Sequence, residues 1–266
     1  MILFSVRVFI RSPLCWLCLL FAVVPTLAQK SGPAPTIVKD IAAPRLELSS
    51  PSIVIGFVGG FVAHDNLHHA EAQLAATLRK AYSSGVYVEA YENHRANRAY
   101  KKILQLLDAN HDGTLSAQEK KNARIIFYGH SWGASEAVHM ARLLGTEGIP
   151  VLLTVQVDSV AKHGQNDALI PANVAQAVNF YQPHGWVRGQ SKIRAADPAH
   201  TQIVGNFRFD YAKDPIRCVQ YPWWDNIFVK AHTEIECDPK VWSQVEQLIR
   251  AQLPPLSSVA SLPAAN

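Results

Sequence analysis

The stretch that most restricts the fold of this chain is residues 124–144. Arg124-Ile125-Ile126-Phe127-Tyr128 is apolar and rich in β-branched and aromatic side chains, Gly129-His130-Ser131-Trp132-Gly133 follows, and residues 134–144 carry helical spacing. A short apolar run that ends on glycine and leads directly into a helix reads as a buried strand feeding a crossover of a parallel sheet. The glycines let the turn tighten without a Cβ clash. They leave Ser131 exposed at the strand's end, at a helix N-terminus whose partial positive charge favours an anion. The plain reading of the pentapeptide is a strand-to-helix turn with a capping serine. A G-x-S-x-G between strand and helix favours the other reading, a nucleophile.

The same alternation extends to either side. Ile53-Val54-Ile55-Gly56-Phe57-Val58 reads as a buried strand, and residues 68–82 as a helix with Leu74 and Leu78 on one face. Residues 86–91 form a second strand, and residues 96–107 a helix with Ile103, Leu104 and Leu107 apolar. Beyond the helix that follows Ser131, residues 150–157 give the next strand. After Asp158 the pattern weakens: residues 203–209 and 226–230 read as strands, and residues 239–251 as a final helix. Continuous apolar strands separated by helices predict an α/β fold, a mostly parallel central sheet with helices on both faces. The folded domain is expected over 51–252. It follows an arm rich in Pro, Ala and Ser at 29–50 and precedes a tail expected to be disordered at 253–266.

With 48% hydrophobic and 17% charged residues the chain can bury a sizeable core. Arg7 and Arg11 precede an apolar run over 14–24, and small residues stand at Thr26 and Ala28. This predicts an export signal over 1–28. The competing reading is an uncleaved anchor, but the run is short for a membrane span, and no second run is long enough. Loss of Arg7 and Arg11 would leave 23 basic residues against 21 acidic ones. That balance, with no basic run, speaks against a nucleic-acid partner. Cys15 and Cys18 lie in the leader, so Cys218 and Cys237 remain, and two cysteines in an exported chain predict one disulfide.

Residues 108–119 fit the calcium loop of an EF-hand at every required position. Asp108, Asn110 and Asp112 offer side-chain oxygens at loop positions one, three and five, and Gly113 makes the sharp turn. Thr114 offers its carbonyl, Ser116 a water-mediated contact, and Glu119 a closing bidentate carboxylate. The plain reading is a hydrophilic turn that binds nothing. Because EF-hands usually come in pairs and this one stands alone, a structural Ca2+ is expected rather than a sensor.

A strand-borne G-x-S-x-G in an alternating α/β chain resembles the α/β-hydrolase superfamily, over 51–252 and most closely from Ile53 to Asp158. No clear strands precede Ile53, so the resemblance implies a reduced α/β-hydrolase fold. It also implies a triad in the order serine, acid, histidine. Asp158, ending the strand after the elbow helix, is the first choice for the acid, and Asp210 the later-strand alternative. His232 is favoured as base over His163, His184 and His200 because it stands before the last helix. An oxyanion hole would take one N–H from Trp132 and a second from Gly60 or Phe61. His64-Asp65-Asn66-Leu67-His68-His69 reads as a polar rim with Asp65 or Asn66 as helix cap, ahead of a metal cluster. The expectation is an exported serine hydrolase of esters or thioesters acting through Ser131, Asp158 and His232. Its substrate would be a small-molecule or lipid acyl compound; Phe61, Trp132, Trp223 and Trp224 are candidates for lining an acyl pocket, against the commoner role of aromatic side chains as core. The competing expectation is a non-catalytic calcium-binding or interaction domain on the same scaffold.

Overall fold

A computed structural model describes residues 51–221 and 229–256. The chain runs β1 (Ser52–Val58), α1 (Ala70–Ala81), β2 (Val86–Glu92), α2 (Ala96–Leu107), α3 (Ala117–Lys121), β3 (Arg124–His130), α4 (Trp132–Thr146) and β4 (Val151–Val157). It continues through β5 (Leu169–Ile170), β6 (Val174–Tyr181), β7 (Arg194–Ala195), β8 (Gln202–Arg208), α5 (Lys230–Cys237) and α6 (Pro239–Gln252). Six strands form one sheet in the order β2-β1-β3-β4-β6-β8, and every pairing in it is parallel. The short strands β5 and β7 pair separately.

Side-chain alternation on the central strands splits the core into two layers. Ile53, Ile55 and Phe57 of β1 and Ile125 and Phe127 of β3 pack with Ile103 of α2 and Val138, Ala141 and Leu144 of α4. Val54, Ile126 and Tyr128 point the other way, against Leu74 and Leu78 of α1 and Val245 and Ile249 of α6. Strands buried on both faces show continuous apolar runs rather than alternation, and β1 is buried at all seven positions. The order reverses around β1: the chain goes from β1 outward to β2, then returns to place β3 on β1's other side. Loops at the carboxyl ends of β1 and β3 therefore diverge and open a crevice, the place where ligands bind in open parallel sheets.

The structure adjusts several expectations, most of them after Asp158. Residues 174–181 form β6, an interior strand carrying the polar residues Gln176 and Asn179. The expected strand at 203–209 is β8, at the sheet edge. Lys230 opens helix α5 instead of closing a strand, and 226–228 lie outside the described residues. The expected helix at 68–82 begins only at Ala70. Among the described residues no helix is long and apolar enough to cross a membrane.

Candidate active site

Ser131 follows β3 directly and adopts φ 56°, ψ −126°. A non-glycine residue in this region is strained and needs its surroundings to hold it. The flanking glycines make the turn sterically possible. A Cβ on Gly133 would lie 2.0 Å from the Phe57 carbonyl oxygen, and one on Gly129 would lie 2.6 Å from the Gly133 carbonyl carbon. Helix α4 thus begins in backbone contact with β1. The Ser131 N–H donates to the Val157 carbonyl at 3.0 Å, pinning the turn to β4.

The Ser131 Oγ lies 2.9 Å from Nε2 of His232, in α5. Nδ1 of the same ring lies 2.7 Å from Oδ2 of Asp158. Because a carboxylate accepts only, Nδ1 carries the hydrogen, and the Nε2 lone pair faces the serine hydroxyl. Asp158 is fully buried and also has a left-handed backbone, φ 42°. Its Oδ1 accepts from the Gly189 N–H at 2.9 Å, and its Oδ2 from Gln182 Nε2 at 2.9 Å. Three elements far apart in sequence thus meet in one relay.

The other candidates stand elsewhere. Asp210 bonds His184 Nε2 at 2.8 Å and Arg208 at 3.0 Å, and the His184 bond holds its carboxyl below the usual range. His200 bonds Asp197 at 2.7 Å, and His163 is exposed. In the run 64–69 the α1 cap position is His69, and its side chain makes no capping bond. Asn66 accepts from the His68 N–H in a local turn, so neither Asp65 nor Asn66 caps the helix as expected. His64 pairs with Glu92 at 3.0 Å, and His69 with Glu236 at 2.6 Å.

The loop after β1 is clamped on both sides. Asn93 Nδ2 donates to the carbonyls of Val58 at 3.0 Å and Gly60 at 2.5 Å, and the Gly59 N–H donates to Glu71 Oε1 at 3.2 Å. Lys162, itself paired with Glu136, donates to the Asn93 carbonyl at 3.1 Å. Among the described residues the N–H groups of Gly60, Phe61 and Trp132 have no hydrogen-bond partner. A cavity of about 400 Å³ opens over Ser131, lined among others by Gly59, Gly60, Trp132, Val160, Val187 and His232. Phe61 is 82% exposed and meets the Trp132 ring edge-on at 5.5 Å. Trp223 and Trp224 lie outside the described residues.

The loop at 108–119 links α2 to α3. His111 and Gly113 take positive φ, 57° and 82°, and fold it back on itself. Asp108 accepts the N–H groups of Asp112 and Gly113, and Asp112 accepts that of Thr114 at 2.8 Å. Asn110 Oδ1 accepts from the Asp112 N–H at 3.1 Å. Glu119 closes a capping box with Ser116 and accepts from the Ala109 N–H at 2.9 Å. The Thr114 and Ser116 amides hold Asp112 and Glu119 below the usual carboxylate range, so both are anionic. This donor set, hard oxygens of which three are carboxylates, fits Ca2+. Cys218 and Cys237 form a disulfide that ties the segment before the undescribed residues to the end of α5.

Sequence reasoning missed the acids behind the relay. Glu71 and Glu236 are both buried near the elbow. Glu71 occupies the same helical stripe as Leu74, Ala75 and Leu78, all buried. A lone carboxylate on an apolar stripe is the signal that could have found it.

No family model matches the sequence, and no curated protein matches it either. Among solved structures the chain is similar to RedJ with a PEG molecule bound in its active site, at 12% identity and TM-score 0.35, over 76% of this chain and 98% of that one. It is also similar to a protein from Xanthomonas campestris pv. campestris described as a hydrolase of the alpha/beta superfamily, at 11% identity and TM-score 0.33, over 75% and 99%. A third is the RedJ thioesterase of the prodiginine pathway in Streptomyces coelicolor, at 14% identity and TM-score 0.30, over 74% and 97%. At these values the likenesses carry no functional argument.

Proposed function

We propose that the chain is a serine hydrolase of carboxylic esters or thioesters, built on an α/β-hydrolase type of scaffold. One observation carries the reading: a strained Ser131 at φ 56° has its Oγ 2.9 Å from His232, whose other nitrogen is 2.7 Å from the buried Asp158. A serine hydroxyl is a weak nucleophile until a base takes its proton, and the base needs an acid to fix its tautomer. Ser131 Oγ attacks the acyl carbon while its proton passes to His232 Nε2. Asp158 stabilises the imidazolium that results. The tetrahedral oxyanion is held by the Trp132 N–H and by that of Gly60 or Phe61, which have no other hydrogen-bond partner among the described residues. His232 then gives the proton to the leaving oxygen or sulfur, and water repeats the sequence to release the acid.

The surroundings favour an apolar acyl group. Val160 and Val187 line the cavity, and the exposed Phe61 and Trp186 flank it in sequence at Gly60 and Val187. A disulfide of this kind persists in an oxidising compartment, which supports export. In the same reading, Asp108, Asn110, Asp112, Thr114, Ser116 and Glu119 hold a structural Ca2+ that braces the loop between α2 and α3. Replacement Ser131→Ala tests the activity: hydrolysis of p-nitrophenyl acyl esters should fall by about 10³-fold or more. An unchanged rate would refute it.

A further inference from the structure

Beside Ser131, along the cavity that His69, His130 and Glu236 help to line, lies a group of ionisable side chains that the relay does not use. Glu71 in α1 and Glu236 in α5 are both buried, and with His69 they bring three ligand-type atoms within 4.8 Å of one another. We propose that Glu71 and Glu236 are a positioning pair for the reaction above, and the proposal rests on that reading. Glu71, as the neutral acid, holds the loop after β1. Glu236, as the anion, ties α5, which carries His232, to His69 just before α1.

The contacts assign these roles. Glu71 Oε1 accepts the Gly59 N–H at 3.2 Å, one residue before the proposed oxyanion donors, and the His130 backbone N–H also faces this carboxyl. Glu236 Oε1 lies 2.6 Å from His69 Nδ1, and its Oε2 lies 3.3 Å from His130 Nδ1. On the far side of that ring, His130 Nε2 donates to the His232 carbonyl at 3.2 Å, and the two imidazoles lie 4.4 Å apart.

Two buried carboxylates this close do not both ionise. Their partners are unequal. Glu236 faces His69, His130 and Tyr221, whereas the Glu71 carboxyl faces only backbone N–H groups, and its Oε2 has no partner among the described residues. The proton therefore rests on Glu71. Burial and the charge of Glu236 hold Glu71 well above the usual carboxylate range. Burial also opposes the charge on Glu236, but His130 and His69 outweigh it and hold that carboxyl low. The pair joins the oxyanion loop, the elbow and the base-bearing helix, so a shift of any one is resisted by the other two.

The test is kinetic and spectroscopic, on the full chain. Glu71→Leu should lower kcat by up to about 10²-fold with little change in KM, and Glu71→Gln, whose neutral amide replaces the acid, should restore it to within roughly threefold. Glu236→Gln should lower kcat, since it removes the anion. At neutral pH an infrared carboxylic C=O band should be present in the parent and in Ser131→Ala, and absent in Glu71→Gln. That readout needs no activity and stands if Glu236→Gln does not fold. Equal damage from Glu71→Gln and Glu71→Leu, or persistence of the band in Glu71→Gln, overturns the proposal. So does one equivalent of a tightly bound divalent ion in the purified parent that is lost in Glu71→Gln, because both carboxylates would then be ligating anions. Loss of the serine reading shows differently: Ser131→Ala would match the parent in ester hydrolysis while the band remained.

Discussion

Ser131 and Asp158, at the two ends of the relay, both have positive φ, 56° and 42°. Such backbones cost on the order of 1–3 kcal/mol each and persist only where neighbouring structure over-determines them. For Ser131 that structure is the Gly129–Gly133 contact and the bond to the Val157 carbonyl; for Asp158 it is the bonds from Gly189 and Gln182. The strain aims both side chains at His232. Asp158→Asn keeps the shape but offers an N–H where an acceptor is needed, which turns His232 to the wrong tautomer. Its kcat should fall about 10⁴-fold. Asp210→Asn should leave kcat within a few-fold, because Asp210 bonds His184 and not His232. Equal losses in the two variants, measured with one ester substrate, would move the acid to Asp210.

At the scale of elements, the legible part of the molecule is the part where one physical signal dominates. Strands β1, β3 and β4 are buried on both faces, so their apolar runs announce them, and Ser131 and Asp158 stand directly after β3 and β4. β6 was not legible because it buries polar groups: Asn179 is fully buried and bonds Asn206 across to β8. The sequence offers His232 as the candidate base by its order after Asp158, but its place inside helix α5 was not legible, since Lys230-Ala231-His232-Thr233-Glu234 has no apolar stripe. Glu71 and Glu236 become partners only through the tertiary contact of α1 and α5, which no local spacing encodes. The loop between α2 and α3 is built from contacts local in sequence. If it holds Ca2+, saturation to about 100 times Kd adds roughly 3 kcal/mol. For a domain of this size that raises Tm by roughly 5–10 °C over chelated protein. Asp112→Ala should abolish the response. A Tm indifferent to calcium and chelator would show a loop that binds no ion.

At the scale of the whole molecule, the all-parallel sheet brings β1, β3 and β4 side by side, so that the loop after β1, Ser131 and Asp158 share one edge. The same burial ties the fold to pH. His130 is fully buried, and desolvation pushes its pKa down to about 4, from about 6.5 in an unfolded chain. The unfolded state then binds the extra proton between these values. The stability contributed by neutral His130 is present above about pH 6.5 and is lost as pH falls towards 4. Glu236, held low, adds loss below about 4.5, whereas Glu71, held high, favours the fold at low pH and loses that contribution as pH rises. Thermal melts from pH 7 to 4 should therefore show a decline that His130→Gln makes shallower; an identical decline in both proteins would exclude His130 as its source. The proposed chemistry requires that Ser131 be a nucleophile activated by His232. A fluorophosphonate probe reads it most directly, because only an activated serine reacts. Intact-mass and peptide analysis should show one probe per chain on Ser131 and its loss in both Ser131→Ala and His232→Ala. A folded parent that stays unlabelled, or is labelled elsewhere, would contradict the account.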